Sequence, residues 1–160
     1  MMSKNREHKV GINRKFFFEQ LKNQLFGGKF SKGQVDGLNS LLDVWERDYA
    51  KNDDRWLAYS LGTAYHEVAF TMQPIHERGG PKYFFYIGNP DLALDPAIAS
   101  KILFTGLKTG LFTGKKLPQY FNKTAEDWIN ARRIVNKLDK APQIAAYAKR
   151  FYGAIGYTTG

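Results

Sequence analysis

The chain has 160 residues, enough for one domain with a buried core, and its composition is that of an ordinary globular protein. It contains no cysteine, which excludes disulfides and thiolate metal sites. A net charge of +9 favours an anionic partner such as nucleic acid, a membrane face or a cell envelope, although solubility alone would also explain it. No apolar stretch is long enough to span a membrane, and Phe16-Phe17-Phe18 is too short for the apolar region of a signal peptide. We therefore expect a protein made in the cytoplasm without a signal peptide.

Capping residues and apolar spacing predict a mainly α-helical protein. We expect a flexible basic arm over residues 1–12 and one domain over residues 13–157. Residues 73–94 are rich in Pro and Gly and are predicted to be irregular. No segment has a convincing strand pattern. Caps and helical spacing place the beginnings of six helices at Asn13, Ser31, Asp53-Asp54, Asp95-Pro96, Thr124 and Ala141-Pro142.

Two glutamates, Glu67 and Glu77, lie ten residues apart on either side of Pro74. Paired carboxylates across a cleft are the minimum requirement for hydrolysing a glycosidic bond. One helix cannot bring them together, because ten residues rise about 15 Å along a helix axis. Pro74 disfavours helix at this point, so the chain can turn back and place Glu77 opposite Glu67. Partial burial of Glu67 beside Tyr65 and Phe70 would favour its protonated form, as a general acid requires.

The same segment offers alternatives with different chemistry. Two glutamates near a helix end are more often solvated surface charges than catalytic groups. His66 and His76 invite a metal site, but the second His that a zinc-hydrolase motif requires, four residues after the first, is missing. We interpret His66 as a hydrogen-bonding partner near the site and His76 as a loop residue. No Ser stands in a nucleophile-elbow context.

Four ordered stretches, which cover nearly the whole chain from about residue 16, carry a family resemblance. They are residues 25–30 with 34–39, residues 58–67 (AYSLGTAYHE) with 71–75, residues 89–96 with 110–117, and residues 130–136 with 139–141. Together they resemble glycoside hydrolase family 19, in its phage-endolysin branch of lysozyme-like muramidases. The resemblance implies a mainly α, lysozyme-like single catalytic domain.

The resemblance also implies roles for particular residues. The glutamate of the Tyr-His-Glu segment, here Glu67, would be the general acid, and the glutamate after the Gln-Pro-Ile turn, here Glu77, the general base. Water would attack the β-1,4 bond between N-acetylmuramic acid and N-acetylglucosamine with inversion, which requires the carboxyl groups to lie roughly 6.5–9.5 Å apart. No metal or organic cofactor is implied. We expect sugar-contacting or supporting roles for four further residues, Tyr65, His66, Gln73 and Tyr86.

One departure from the family concerns the wall of the cleft. Relatives carry a segment with a Gln-Leu-Thr motif between the Glu77 region and Asn89, and it supplies a Ser or Thr that positions the water. Here Gly88 runs directly into Asn89, and no residue matches that motif. Either this segment has been lost, or the sequence lacks residues that the natural protein has at this point. A real loss would remove half of the cleft wall.

We therefore expect a peptidoglycan-degrading endolysin, monomeric, that reaches the periplasmic cell wall after release from the cytoplasm. The first alternative is a catalytically inactive lysozyme-like module that binds peptidoglycan or a protein partner. A nucleic-acid-binding domain is the second, but the sequence has no recognisable reading motif. The basic C-terminal region would either contact outer-membrane lipopolysaccharide or form a solvated helix face; it comprises Arg132, Arg133, Lys137, Lys140, Lys149 and Arg150.

Overall fold

The protein is mainly α-helical, as the sequence predicts. The computed structural model describes residues 11–68, Met72 and residues 95–158. Over these residues no strand forms, and β-pairing is limited to two isolated bridges, Ile12 with Tyr157 and Phe121 with Glu126. The five α-helices of the described part are α1 (Arg14–Gln24), α2 (Lys32–Val44), α3 (Asp54–Glu67), α4 (Pro96–Thr109) and α5 (Ala141–Ala154). A π-helical turn (Trp45–Tyr49) extends α2, and two short 3-10 helices (Leu117–Gln119 and Asn130–Ile134) separate α4 from α5.

Side-chain caps fix the beginnings of the first four helices where the sequence places them. The Asn13 side chain accepts a hydrogen bond from the Phe16 backbone N–H at 3.0 Å, and Asp95 caps α4 in the same way. Ser31 and Gln34 form a reciprocal capping box at the start of α2. Asp53 caps α3, so the helix that ends at Glu67 has a defined origin. The predictions of these helices are confirmed.

Helix α3 runs through the middle of the core and packs most closely against α5. Its side chains are buried in every direction from Leu57 to Tyr65. Gly62 permits the close approach, because a Cβ atom at this position would lie 2.9 Å from Ala148 on α5. The tight contact holds α3 rigidly, and with it the backbone of Glu67 at its end.

The helix predicted to begin at Thr124 does not form, and this prediction is wrong. The Asn122 side chain accepts hydrogen bonds from the backbone N–H groups of Thr124 and Ala125, both at 2.9 Å. These bonds close a local turn, and such turns compete with helix formation. Helical structure begins only after Asp127, whose carboxylate accepts a hydrogen bond from the Asn130 backbone N–H at 2.9 Å. It continues only as the short 3-10 helix.

The two ends of the described chain lie side by side. The predicted arm of residues 1–12 falls mostly outside the described residues, but its last residue, Ile12, is buried and pairs with Tyr157. The Asn13 backbone N–H donates to the Gly156 carbonyl oxygen at 2.8 Å. The folded body therefore includes Ile12. Among the described residues, no helix has both the length and the apolar character needed to cross a membrane.

Candidate active site

Glu67 is the last residue of α3, at the point where the buried helix reaches the surface. Its side chain is 23% exposed, so part of it is in contact with solvent. A carboxylate at this end of a helix meets the negative end of the helix dipole, which is unfavourable. The position therefore calls for a compensating positive charge.

Arg132 supplies that charge from the second 3-10 helix. Its Nη1 atom donates to Oε1 of Glu67 at 3.2 Å, while its Nε atom donates to the Asp139 carbonyl oxygen at 3.0 Å. Only 4% of the Arg132 side chain is exposed, so the guanidinium group is almost completely removed from water. An ion in such a place requires partners. The Arg132 guanidinium group has two such partners in the Glu67 carboxylate and the Asp139 carbonyl oxygen.

The backbone that carries Arg132 is tied to the loop after α4. The hydroxyl group of Thr113 donates to the carbonyl oxygens of Arg133 and Ile134, at 2.8 and 2.9 Å. These carbonyls stand at the end of the 3-10 helix, where intrahelical donors run out. The Thr113 contact thus holds the segment in place, and through it the guanidinium group beside Glu67.

Tyr65 and His66 lie in the last turn of α3, and the structure gives them different surroundings. Tyr65 is buried, its hydroxyl donates to the Leu25 carbonyl oxygen, and its ring packs edge-on against Phe26 and Tyr147. Burial raises the pKa of the Tyr65 phenol. These contacts place Tyr65 in the core behind the site, where it supports α3. His66 is half-buried and directly precedes Glu67.

Three residues predicted for the site lie outside the described residues: Glu77, Gln73 and Tyr86. The separation between the carboxyl groups of Glu67 and Glu77 therefore stays a prediction of the sequence. The structure brings Glu67 together with Arg132, a pairing that sequence reasoning missed.

Arg132 is also a correction to the predicted basic region. The sequence places Arg132 with Arg133 and Lys137 in a basic region that would contact envelope anions. The guanidinium group of Arg132 is buried, so it cannot make such a contact. No sequence signal separates Arg132 from the exposed Arg133, because both stand between the same two apolar residues, Ala131 and Ile134. Only the fold shows which of the two arginines is buried and so needs an internal partner.

The arrangement presents one carboxyl group to solvent from a rigid support. Such a group can accept a hydrogen bond from a ligand or exchange a proton with it. Comparisons of this chain with models of protein families, with curated proteins and with solved structures found no match.

Proposed function

We propose that this protein is a peptidoglycan hydrolase of the endolysin type, with a lysozyme-like fold. It cleaves the β-1,4 bond between N-acetylmuramic acid and N-acetylglucosamine. The observation that carries the proposal is the partly exposed Glu67 side chain, held at the end of a buried helix beside the buried Arg132. Arg132 is placed to stabilise the carboxylate that remains once Glu67 has given up a proton. A group that transfers a proton to a glycosidic oxygen needs both a fixed position and access to the ligand. Glu67 has both.

In the proposed reaction Glu67 is the general acid and Glu77 the general base. In its protonated form, Glu67 gives its proton to the leaving glycosidic oxygen as the bond from that oxygen to the anomeric carbon breaks. Glu77 takes a proton from the water whose oxygen bonds to the same carbon from the opposite face. The sugar is released with inverted configuration. Return of a proton to Glu67 and loss of one from Glu77 to solvent complete the cycle. The reaction uses no metal or organic cofactor.

The proposed setting is the bacterial cell envelope. The net charge of +9 suits an envelope rich in anions, including outer-membrane lipopolysaccharide. The enzyme acts as a monomer on the periplasmic cell wall, after synthesis in the host cytoplasm and release. Its action there would lyse the bacterium.

The products of digestion test the proposal directly. Purified Gram-negative peptidoglycan is incubated with the protein, and the soluble fragments are identified by mass spectrometry after borohydride reduction. We expect reduced N-acetylmuramic acid at the fragment ends, and NMR of the fresh product should show the inverted, α-anomer first. Reduced N-acetylglucosamine ends, or cleaved peptide cross-links with intact glycan, would contradict the assigned bond.

A matched pair of variants tests the role of the carboxyl group. Glu67→Gln removes the proposed acid, whereas Glu19→Gln makes the same chemical change at an exposed position on α1. We expect the first to abolish product release and the second to leave it unchanged. Retained binding of the wild-type protein to peptidoglycan with no fragment released would instead indicate a non-catalytic binding module.

A further inference from the structure

We propose that the surface formed by the loop after α4 and the segment after the second 3-10 helix docks onto an anionic phospholipid bilayer. This docking surface consists of Leu111, Lys115, Lys116, Arg133, Lys137 and Leu138, all exposed. The inference goes beyond the proposed hydrolase activity and does not depend on it.

The charge of the protein is concentrated in the part of the chain that carries this surface. Residues 101–160 hold eleven of the 24 Lys and Arg residues but three of the 15 Asp and Glu residues, so they carry +8 of the net charge of +9. Neither residues 111–116 nor residues 133–138 include an acidic residue. Within the described part of the chain, the four basic side chains of the docking surface form no ion pair with a carboxylate. All four side chains are exposed, so their charge can meet an external anion.

Exposed apolar side chains accompany the basic ones. Among the described residues, four large apolar side chains are well exposed, and two of them belong to the docking surface: Leu111 at 42% and Leu138 at 41%. Single exposed apolar residues are common and need no explanation. Two exposed leucines on a surface that also carries four basic side chains make the combination of groups that an interfacial membrane site uses.

One contact holds the two segments of the surface together. The Thr113 hydroxyl donates to the carbonyl oxygens of Arg133 and Ile134, so the loop after α4 lies directly against the end of the 3-10 helix. Leu111 is two residues from Thr113, and Leu138 is four residues from Ile134. At the greatest reach of about 3.5 Å per residue, the two leucines lie within roughly 25 Å of each other. The Thr113 bonds therefore place the two segments side by side, with Lys115, Lys116 and Arg133 within a few residues of the contact.

The mixture of charge and apolar area distinguishes a bilayer from other polyanions. A nucleic acid or an anionic glycan would use the lysines and arginine but would leave the leucines in water. A bilayer interface accepts both, because the basic groups meet the headgroups while the apolar side chains enter the acyl boundary. The chemistry of the surface fits the bilayer.

Vesicle cosedimentation of the full chain tests the inference. The vesicles are phosphatidylcholine alone or phosphatidylcholine mixed with phosphatidylglycerol, each at low and at high salt. The charge variant is Lys115→Gln/Lys116→Gln/Lys137→Gln, and its control, Lys15→Gln/Lys22→Gln/Lys29→Gln, lowers the net charge equally elsewhere. The apolar variant is Leu111→Ser/Leu138→Ser, with the exposed Phe16→Ser as its control. Circular dichroism establishes that each variant is folded.

The expected results follow from the magnitudes of the two contributions. Each basic residue near an anionic membrane strengthens binding about fivefold, so the charge variant should bind phosphatidylglycerol vesicles about a hundredfold more weakly. Partial burial of two leucines corresponds to about tenfold for the apolar variant. Both controls should bind within about twofold of wild type, because their residues lie outside the docking surface.

Three results would overturn the inference. The first is the absence of binding to phosphatidylglycerol vesicles at low salt. The second is equal weakening by the charge variant and its control, which would reflect net charge alone. The third is an apolar variant that binds as wild type does, which would assign the surface to polyanions such as nucleic acid or glycan. None of these results bears on whether peptidoglycan is cleaved.

Discussion

Removal of either partner of the Glu67–Arg132 pair should destabilise the protein, and removal of both should cost less than the sum. Arg132→Met keeps most of the side-chain volume but removes the charge and the hydrogen bond to the Asp139 carbonyl oxygen. Glu67→Gln keeps an oxygen acceptor near Nη1 but removes the negative charge. In the double variant neither charge remains, so no ion is left without its partner.

The burial of the two side chains sets the size of the effect. Breaking a fully buried ion pair by removing one partner costs about 3–5 kcal/mol. Arg132 is 4% exposed, but Glu67 is 23% exposed and keeps contact with water, which places the cost at the lower end. We expect a loss of about 3 kcal/mol for Arg132→Met and about 2 kcal/mol for Glu67→Gln. The double variant should lose about 3 kcal/mol, which gives a coupling energy of about 2 kcal/mol.

Urea unfolding of the four proteins, followed by circular dichroism, measures this coupling. The exposed pair of Lys32 and Asp36, 2.8 Å apart, provides the control cycle, and its coupling should lie within experimental error. Additive losses at Glu67 and Arg132 would refute the reasoning, because they would mean that the two side chains do not stabilise each other.

Three further predictions concern the packing around the site. Tyr59→Phe should leave the stability unchanged or raise it by about 1 kcal/mol, because the Tyr59 hydroxyl is buried without a hydrogen-bond partner in the described part of the chain. Tyr65→Phe should lower the stability by about 1 kcal/mol, because it removes the hydrogen bond to the Leu25 carbonyl oxygen. Thermal unfolding of both variants compares the signs of the two effects. Gly106→Ala should destabilise by about 2 kcal/mol, since its Cβ would lie 2.1 Å from the Phe112 ring, and an unchanged urea midpoint would contradict the packing. Burial raises the pKa of the Tyr59 phenol above its ordinary 10.0, so stability should fall as the pH rises above about 10 and should fall less steeply in Tyr59→Phe.

Local signals in the sequence were sufficient to predict most of the helices. Asn13, Ser31, Asp53 and Asp95 each carry a side chain that caps the helix after it, and the apolar spacing that follows leaves little choice of structure. The wrong prediction of a helix beginning at Thr124 also comes from a local side-chain hydrogen bond. The Asn122 side chain two residues earlier accepts hydrogen bonds from the backbone N–H groups of Thr124 and Ala125, and this turn competes with a helix that would begin there.

The site was predictable only in part, because its main contact joins distant residues. The helical pattern before Glu67 placed this residue correctly at the end of a buried helix. Its partner Arg132 is 65 positions further along the chain, and no periodicity or cap relates the two. Tyr65 shows the same limit, since its hydroxyl bonds to the Leu25 carbonyl 40 positions earlier, and its burial makes it a core residue.

Clearing of purified Gram-negative peptidoglycan tests the central claim most directly. Turbidity and released reducing ends are followed for wild type, Glu67→Gln and Glu19→Gln at equal folded concentration. The account predicts clearing by wild type and by Glu19→Gln, and none by Glu67→Gln. Equal clearing by all three proteins, or by none of them, would contradict the assignment of Glu67 as the catalytic acid of a peptidoglycan hydrolase.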